Sequence, residues 1–358
     1  MGKLFGFLLM VLAVAAIGAV GGWFYLQHAF NQPGPATADG APRVVVVPKG
    51  SHGAEIAALL VEAGAIENEF LLRANIRINA FIPGGEGDVD LKAGEYAVPS
   101  GASMKDIVAL LSSGKPLQYN VVIPEGLTSA MIVKLLTERE WPATTKAPLA
   151  YKLVGDAPPT PAEGVLLPGD YAVQRGDTVE SVIARAIKRQ KDLLAEVWPT
   201  RQDGLPFKTQ DEAINLASIV EKETGNASER PEVAAVFVNR LRRGMRLESD
   251  PTIVYGITKG EPIGRKILQS EIARKTAWNT YQISGLPETP ICNPGADAIR
   301  AVLNPPVSRA LFFVADGAGG HVFAETYSEH QQNVATYRRI RAANEAAGVN
   351  TPAVRQQP

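Results

Sequence analysis

One glutamate, Glu223, stands where a carboxyl could act as an acid catalyst. It lies within the stretch Leu216–Pro251, near the end of a run that reads as a helix. Thr209 and Glu212 have the spacing of a capping box, so the helix should begin there. Gly225 suits the C′ position that ends it. At ~100° per residue, Glu223 falls in line with Leu216, Ile219 and Val220, with Ala213 nearby, whereas Glu221 points to roughly the opposite side alongside Ile214. Periodicity therefore selects Glu223 over Glu221 as the inward-facing acid. Partial desolvation and the negative helix end nearby would both raise its pKa. A carboxyl that keeps its proton near neutral pH is what a general acid requires. The competing reading is a salt-bridged surface glutamate, with Lys222 or Arg230 as its partner.

Further polar groups fall in the same part of the chain. Amides, hydroxyls and phenols suit sugar hydroxyls and sugar faces, and they equally suit buried networks. The candidate substrate-binding residues are Asn279, Thr280, Tyr281, Tyr255, Asn239, Asp250 and Ser218. Turn chemistry alone accounts for Gly285, Pro287, Asn293, Pro294 and Gly295. Arg240, Arg242, Arg243 and Arg246 read as a solvated helix end, favourable beside the last carbonyls. Cys292 is the single cysteine, which excludes an intramolecular disulfide, and no histidine lies near it in sequence. It reads as a small buried apolar residue. The four histidines are scattered, and no HExxH, CxxC or GxSxG motif occurs. No metal and no cofactor is expected. The formal net charge of −1 gives no footprint for nucleic acid.

The elements that must carry these groups follow an α+β plan. Residues 4–26 contain no charged side chain and end in Trp23 and Tyr25. About 23 apolar residues suffice to cross a ~30 Å hydrocarbon core, and aromatics favour its interface. A single transmembrane helix is expected, with residues 1–3 as a cytoplasmic stub and the rest exported across an inner membrane into the periplasm. A cleaved signal peptide is the alternative, since Ala13-Val14-Ala15 resembles a cleavage site. Residues 27–42, with the Pro- and Gly-rich stretch Asn31–Pro42, read as a flexible linker. A weak repeat comes next. Val47-Pro48-Lys49-Gly50 is echoed by Ile123-Pro124-Glu125-Gly126, and Ala93-Gly94-Glu95-Tyr96-Ala97-Val98 by Pro168-Gly169-Asp170-Tyr171-Ala172-Val173. Each unit reads as strand, helix, strand, helix, and such a module resembles the LysM type of glycan-binding unit. The expected divisions are a LysM-like domain at 43–118, a second repeat-like linking region at 119–200, a mixed α+β catalytic domain at 201–347 and a disordered tail at 348–358. Within the catalytic domain a second helix should end at Arg243. A loop-rich middle then leads to a hairpin over Leu311–Ala324 and to a last helix capped by Ser328.

Taken together these residues carry a family pattern. Glu163-Gly164 with Pro168, ASIVEKET (Ala217–Thr224), Ser228–Arg230, VFVNRLRRGMRLESDPTIVYG (Val236–Gly256), NTYQISGLP (Asn279–Pro287) and NPGADAI (Asn293–Ile299) resemble the YceG-like family of endolytic murein transglycosylases. The resemblance covers nearly all of the chain beyond the apolar span. Glu288-Thr289 and Leu166-Leu167-Pro168-Gly169 depart from the usual pattern, the first in a loop near the site. The resemblance implies that Glu223 is the catalytic glutamate. It implies cleavage of the β-1,4 bond between N-acetylmuramic acid and N-acetylglucosamine in peptidoglycan strands. No water would be used, and 1,6-anhydro ends would form. The implied partners are glycan strands, the inner membrane and peptidoglycan synthases. Two alternatives stand beside it: a hydrolytic muramidase with Asp250 as second carboxylate, and a non-catalytic peptidoglycan-binding scaffold.

Overall fold

The computed structural model describes residues 2–81, 90–143 and 150–346; the tail expected at 348–358 lies outside them. Helix α1 (Gly2–Asn31) comes first. Among the described residues it is the one helix long and apolar enough to cross a membrane, with a mean hydropathy of 2.5 and no buried residue in its apolar window. It does not stop at Leu26. It runs on to Asn31, and Phe30 joins a core with Ile56, Leu60 and Leu72. The rest of the expected flexible linker is tied down. The Gly34 N–H donates to Gly101 O (3.2 Å) and the Gly101 N–H to Pro35 O (3.3 Å). The Thr37 N–H reaches Ser100 Oγ (2.8 Å), and Arg43 Nη1 reaches Pro35 O (2.6 Å). The stretch is rich in turn formers, but its backbone groups have found protein partners, as backbone away from water must.

The next elements are β1 (Arg43–Val47), α2 (Gly53–Glu62), α3 (Glu69–Phe81), β2 (Gly94–Val98) and α4 (Met104–Ser112). β1 and β2 pair antiparallel, from Arg43↔Val98 to Val47↔Gly94. Val45 and Val47 face inward while Val46 is exposed, the period-two pattern of a half-buried strand. Ile56 and Leu60 of α2 and Ile107 and Leu111 of α4 fill the space against them. Then come β3 (Tyr119–Ile123), α5 (Ser129–Glu138), β4 (Glu140–Pro142), β5 (Ala150–Lys152), β6 (Gly169–Val173) and α6 (Val179–Val197). β3 pairs with β6 and β4 with β5. The order β1–α2–β2–α4 thus recurs as β3–α5–β6–α6. Tyr96 and Tyr171 hold matching places, each donating its hydroxyl four residues back, to Lys92 O at 2.8 Å and to Leu167 O. Gly94 and Gly169 precede them at φ 151° and 134°, values that a side chain resists.

The remaining elements are α7 (Gln210–Glu223), α8 (Arg230–Arg242), α9 (Asp250–Thr258), α10 (Gln269–Ala273), α11 (Ala296–Leu303), β7 (Phe312–Ala315), β8 (His321–Ala324) and α12 (Tyr327–Ala346). The chain divides into two compact units. The first takes Met1–Asn120, Glu140–Tyr151 and Ala172–Asp177, and the second takes Val121–Arg139, Lys152–Tyr171 and the chain from Thr178 onward. Within the second unit α7, α8 and α11 pack on one another around Leu216, Val220, Val236, Phe237, Ile299 and Val302. Phe237 meets Phe313 edge to face at 5.9 Å. α7 begins at the Thr209–Glu212 capping box. It ends because Thr224 turns extended (φ −130°, ψ 130°), and Gly225 comes after it without a positive φ. The region expected to be loop-rich holds α9, α10 and α11, three short helices. The β7–β8 hairpin pairs Phe312 with Ala324 and Ala315 with His321. α12 is capped by Thr326, whose Oγ1 accepts from the Glu329 N–H (3.3 Å), and not by Ser328, which lies inside the helix.

Arg240 is not part of a solvated helix end. It is 2% exposed. Its Nε donates to Leu311 O (2.6 Å) and its Nη1 to Leu247 O (2.9 Å). The guanidinium satisfies the carbonyls of two loops that α8 must hold, and burial pulls its pKa below the usual arginine range. Replacing Arg240 by Met strands those carbonyls, so Arg240→Met should destabilise the second unit by about 3 kcal/mol in chemical denaturation. The exposed neighbour, as Arg242→Met, should stay within about 0.5 kcal/mol of wild type.

Candidate active site

Beyond its first turn α7 has no solvent face, since every residue from Ala213 to Val220 is buried. Its polar side chains must therefore find partners in the protein, and three of them do so at every third position. Asn215 Nδ2 donates to Pro287 O (2.7 Å), Ser218 Oγ accepts from the Ile291 N–H (3.0 Å), and Glu221 Oε2 accepts from the Gly295 N–H (3.0 Å). The segment from Pro287 to Gly295 is laced along the helix by these bonds. The Glu221 side chain is 6% exposed, with Arg230 Nη2 at 3.6 Å. Burial raises its pKa, against the pull of the Gly295 N–H and Arg230. Glu221 is thus no water-facing counterpart to Glu223. Both acids are enclosed, on different sides.

Glu223, the last residue of α7, is 7% exposed. Its Oε1 accepts a hydrogen bond from Ser249 Oγ at 2.5 Å. Ser249 is the N-cap residue of α9, yet its hydroxyl makes no cap bond to that helix. The rest of Ser249 is fixed by two threonines. Its N–H donates to Thr280 Oγ1 (2.9 Å), and Thr252 Oγ1 donates to its carbonyl (2.6 Å). The two threonine hydroxyls lie 2.9 Å apart, and all three residues are buried. The preceding residue, Glu248, sits at φ 51°, and its N–H donates to Thr280 O (3.2 Å). A left-handed non-glycine residue costs roughly 1–2 kcal/mol, which the enclosing bonds offset. Next to Ser249, Asp250 Oδ1 accepts from the Tyr281 hydroxyl (2.9 Å). Burial, and then the Asp250 charge, push the Tyr281 phenol far above its ordinary pKa. That phenol stays a donor at any physiological pH.

The structure brings Glu223, Ser249, Thr252 and Thr280 into one network, with Asp250 and Tyr281 hydrogen-bonded beside it. Asn279 spends its amide on the fold: Nδ2 reaches Glu271 O, Ile272 O and Arg274 O (3.2, 3.0 and 2.6 Å), and Oδ1 accepts from the Tyr281 N–H (3.0 Å). It orients Thr280 and Tyr281 by fixing their loop. Asn239 donates to Ser308 O and Ala310 O, and Ser218 donates to Asn215 O. Tyr255 packs against Trp278 at 5.7 Å, and Lys259 Nζ stands 3.2 Å from the centre of the Trp278 ring. Cys292 is enclosed, with its thiol pushed well up by burial, so it is inert packing.

Asn293 does more than form a turn. It is fully buried. Its backbone N–H donates to Leu127 O (2.9 Å), its Nδ2 to Ser129 Oγ (3.0 Å), and its Oδ1 accepts from the Leu166 N–H (3.0 Å). This amide fastens residues 127–129 and 166 to the segment that α7 laces. Glu163 belongs to the same cluster. Its carboxylate accepts from the Ser129 N–H (3.0 Å), and the Tyr255 phenol lies near enough to feel its charge. Burial raises the Glu163 pKa while the Ser129 bonds oppose the rise, and Tyr255 is pushed up to about 12 by burial first and by the Glu163 charge second. Ser249 and Thr252 belong to the Glu223 network though sequence reasoning did not name them as candidates, and the bonds of Glu163 and Asn293 to residues 127–129 and 166 were likewise not foreseen. A Ser-Asp-Pro run signals only a helix start, and nothing local tells that the serine turns its hydroxyl away from that helix.

The profile of the YceG-like family matches residues 45–336. The chain belongs to that family. Its relatives include proteins named endolytic murein transglycosylase. That of Streptococcus pneumoniae strain D39 is 28% identical, across 92% of this chain and 65% of the relative. That of Bacillus subtilis strain 168 is 25% identical, across 84% of this chain and 85% of the relative. The chain thus spans 65% of the length of the pneumococcal protein. A crystal structure of a yceG-like protein from Listeria monocytogenes is 25% identical, covering 81% of this chain and 98% of that one with a TM-score of 0.45.

The half-buried Glu163 gives a pH test. Its folded pKa is raised, so its contribution to stability is fully present below the unfolded carboxylate value of about 4.3 and is lost as pH rises through the folded value. Glu163→Gln cannot ionise. Its Tm relative to wild type should therefore climb between about pH 4 and pH 7. Parallel curves for the two proteins across that range would contradict the assignment.

Proposed function

We propose that this chain is a membrane-anchored lytic transglycosylase that cleaves the N-acetylmuramic acid–N-acetylglucosamine β-1,4 bond inside peptidoglycan strands. The observation that carries the reading is the enclosed Glu223 carboxyl, which accepts a short bond from a serine that a threonine pair immobilises. The family membership and the relatives named endolytic murein transglycosylase support the substrate class.

A glycosidase that uses water needs two carboxyl groups. Here Asp250 already accepts the Tyr281 hydroxyl, which favours a mechanism with one. Glu223 gives its proton to the glycosidic oxygen, and the bond from that oxygen to C1 of the muramic acid breaks. The C6 hydroxyl of the same sugar closes on C1, and its proton passes to the Glu223 carboxylate. The acid is restored, and the product is a 1,6-anhydro end. Intramolecular attack has a large effective molarity, which offsets the lack of a second catalytic group. The Ser249 hydroxyl orients the carboxyl for both proton transfers. Tyr281 and Tyr255 are the groups on which the sugar would be oriented, with Asn279 shaping the Tyr281 loop and Thr280 fixing Ser249 behind it.

We infer an inner-membrane anchor in α1, a cytoplasmic N-terminus and a periplasmic catalytic unit. Cleavage at Ala13-Val14-Ala15 would leave a long apolar stretch on the mature chain, which supports an uncleaved helix. The first strand–helix repeat is a LysM-like contact for glycan, and peptidoglycan synthases are the natural neighbours of such an anchored enzyme.

Mass spectrometry of products from purified glycan strands tests the reading. Wild type should yield 1,6-anhydro ends, and Glu223→Gln should yield none while remaining folded. Reducing ends in place of anhydro ends would mean hydrolysis. Intact strands with both proteins would leave only binding. Glu221→Gln should be much milder than Glu223→Gln. Ser249→Ala, which lets the carboxyl swing, should lower kcat by roughly ten- to a hundredfold with a smaller effect on KM.

A further inference from the structure

Arg230 opens α8, and its side chain is 8% exposed. Three carboxylates surround it: Glu221 at 3.6 Å, Glu125 at 3.7 Å and Asp297 at 3.8 Å. Each lies beyond hydrogen-bond length. Its Nε is buried with no hydrogen-bond partner. A guanidinium carries five donors, so Arg230 is under-bonded where it stands, and an acceptor meeting its terminal nitrogens would gain a charge-assisted bond that none of the three carboxylates makes.

That side chain lines a cavity of about 620 Å³, together with Arg300, Glu196, Asp297, Thr200 and Asn304. The volume lies in the range of ligand sites. No residue of the Glu223 network lines it. Around the buried arginine the rim is exposed and loosely paired, with Arg300 at 3.8 Å from Glu196 and 3.9 Å from Asp297. Such pairs contribute little in water and exchange readily for a ligand's charges. The cavity thus offers a fixed, under-bonded cation and movable acids at its mouth. A phosphate would meet the carboxylates around Arg230, and a simple cation would meet Arg230 itself. A group with both a carboxylate and an ammonium suits both, the carboxylate on the guanidinium fork and the ammonium between Glu196 and Asp297.

We propose that this cavity binds a zwitterionic peptide group of the kind carried by the peptide stems of peptidoglycan, and so reads whether the strand being cleaved bears its peptide. The substrate assignment rests on the transglycosylase reading, whereas the binding chemistry does not. The full-length protein in detergent, titrated calorimetrically with the free tetrapeptide released from peptidoglycan by an amidase, should bind it. The same peptide with its amine acetylated and its carboxylates amidated should not bind. Arg300→Ala and Arg230→Lys should each weaken binding at least tenfold, with circular dichroism showing the fold retained, and Glu223→Gln should bind as wild type does. The ratio of kcat/KM on peptide-bearing to peptide-free strands should fall at least fivefold in Arg300→Ala. Lack of binding by wild type, or equal binding of the blocked peptide, overturns the proposal. Peptide binding by a protein that cleaves neither strand sinks the transglycosylase reading and leaves the cavity assignment standing. Cleavage of both strands with an unchanged ratio in the variant does the reverse.

Discussion

A helix shut off from water on every side leaves its polar residues one outlet, the protein around it, and α7 is built under that constraint. Asn215, Ser218 and Glu221 bind the segment from Pro287 to Gly295 along one stripe. Asn293 then ties that segment to residues 127–129 and 166. Parts of the chain far apart in sequence are assembled on a single rod. Glu223 lies at the end of that rod, where the last turn gives way to an extended residue and the carboxyl can leave the core. It meets a serine that has been fixed beforehand. Geometry of this kind costs nothing at the moment of reaction, because folding has already arranged it.

Much of this arrangement is legible in the residues. The Thr209–Glu212 capping box, the β-branched run of β1, the echo of Tyr96 in Tyr171 and the hairpin from Phe312 to Ala324 all rest on local chemistry, which a sequence states directly. The choice between Glu221 and Glu223 rests on amphipathicity, and α7 has no outer face for that argument to use. Arg240 escapes sequence reasoning for a related reason. Its role is set by carbonyls at Leu247 and Leu311, and nothing near it in sequence announces them. The short helices α9, α10 and α11 lie among prolines and glycines that read as loop, and tertiary packing overrides that signal. Ser249 can be placed at a helix start, but its hydroxyl is claimed by a residue on another helix.

The two buried guanidiniums make an instructive pair. Arg240 donates to carbonyls at 2.6 and 2.9 Å and behaves as a structural bolt. Arg230 holds its carboxylates at a distance, and its Nε has no acceptor. Charge and burial are alike in the two. Hydrogen bonding separates a finished interaction from an open one, and exposure alone does not tell them apart.

The merging of α1 into the first unit through Phe30, and the fastening of residues 34–37 to Ser100, Gly101 and Arg43, put a bonded stretch where a loose leash was expected. With α1 seated in a bilayer, the height of the first unit above the lipid surface is fixed by helix geometry. A unit held in this way would have its reach set by geometry and not by the swing of a tether.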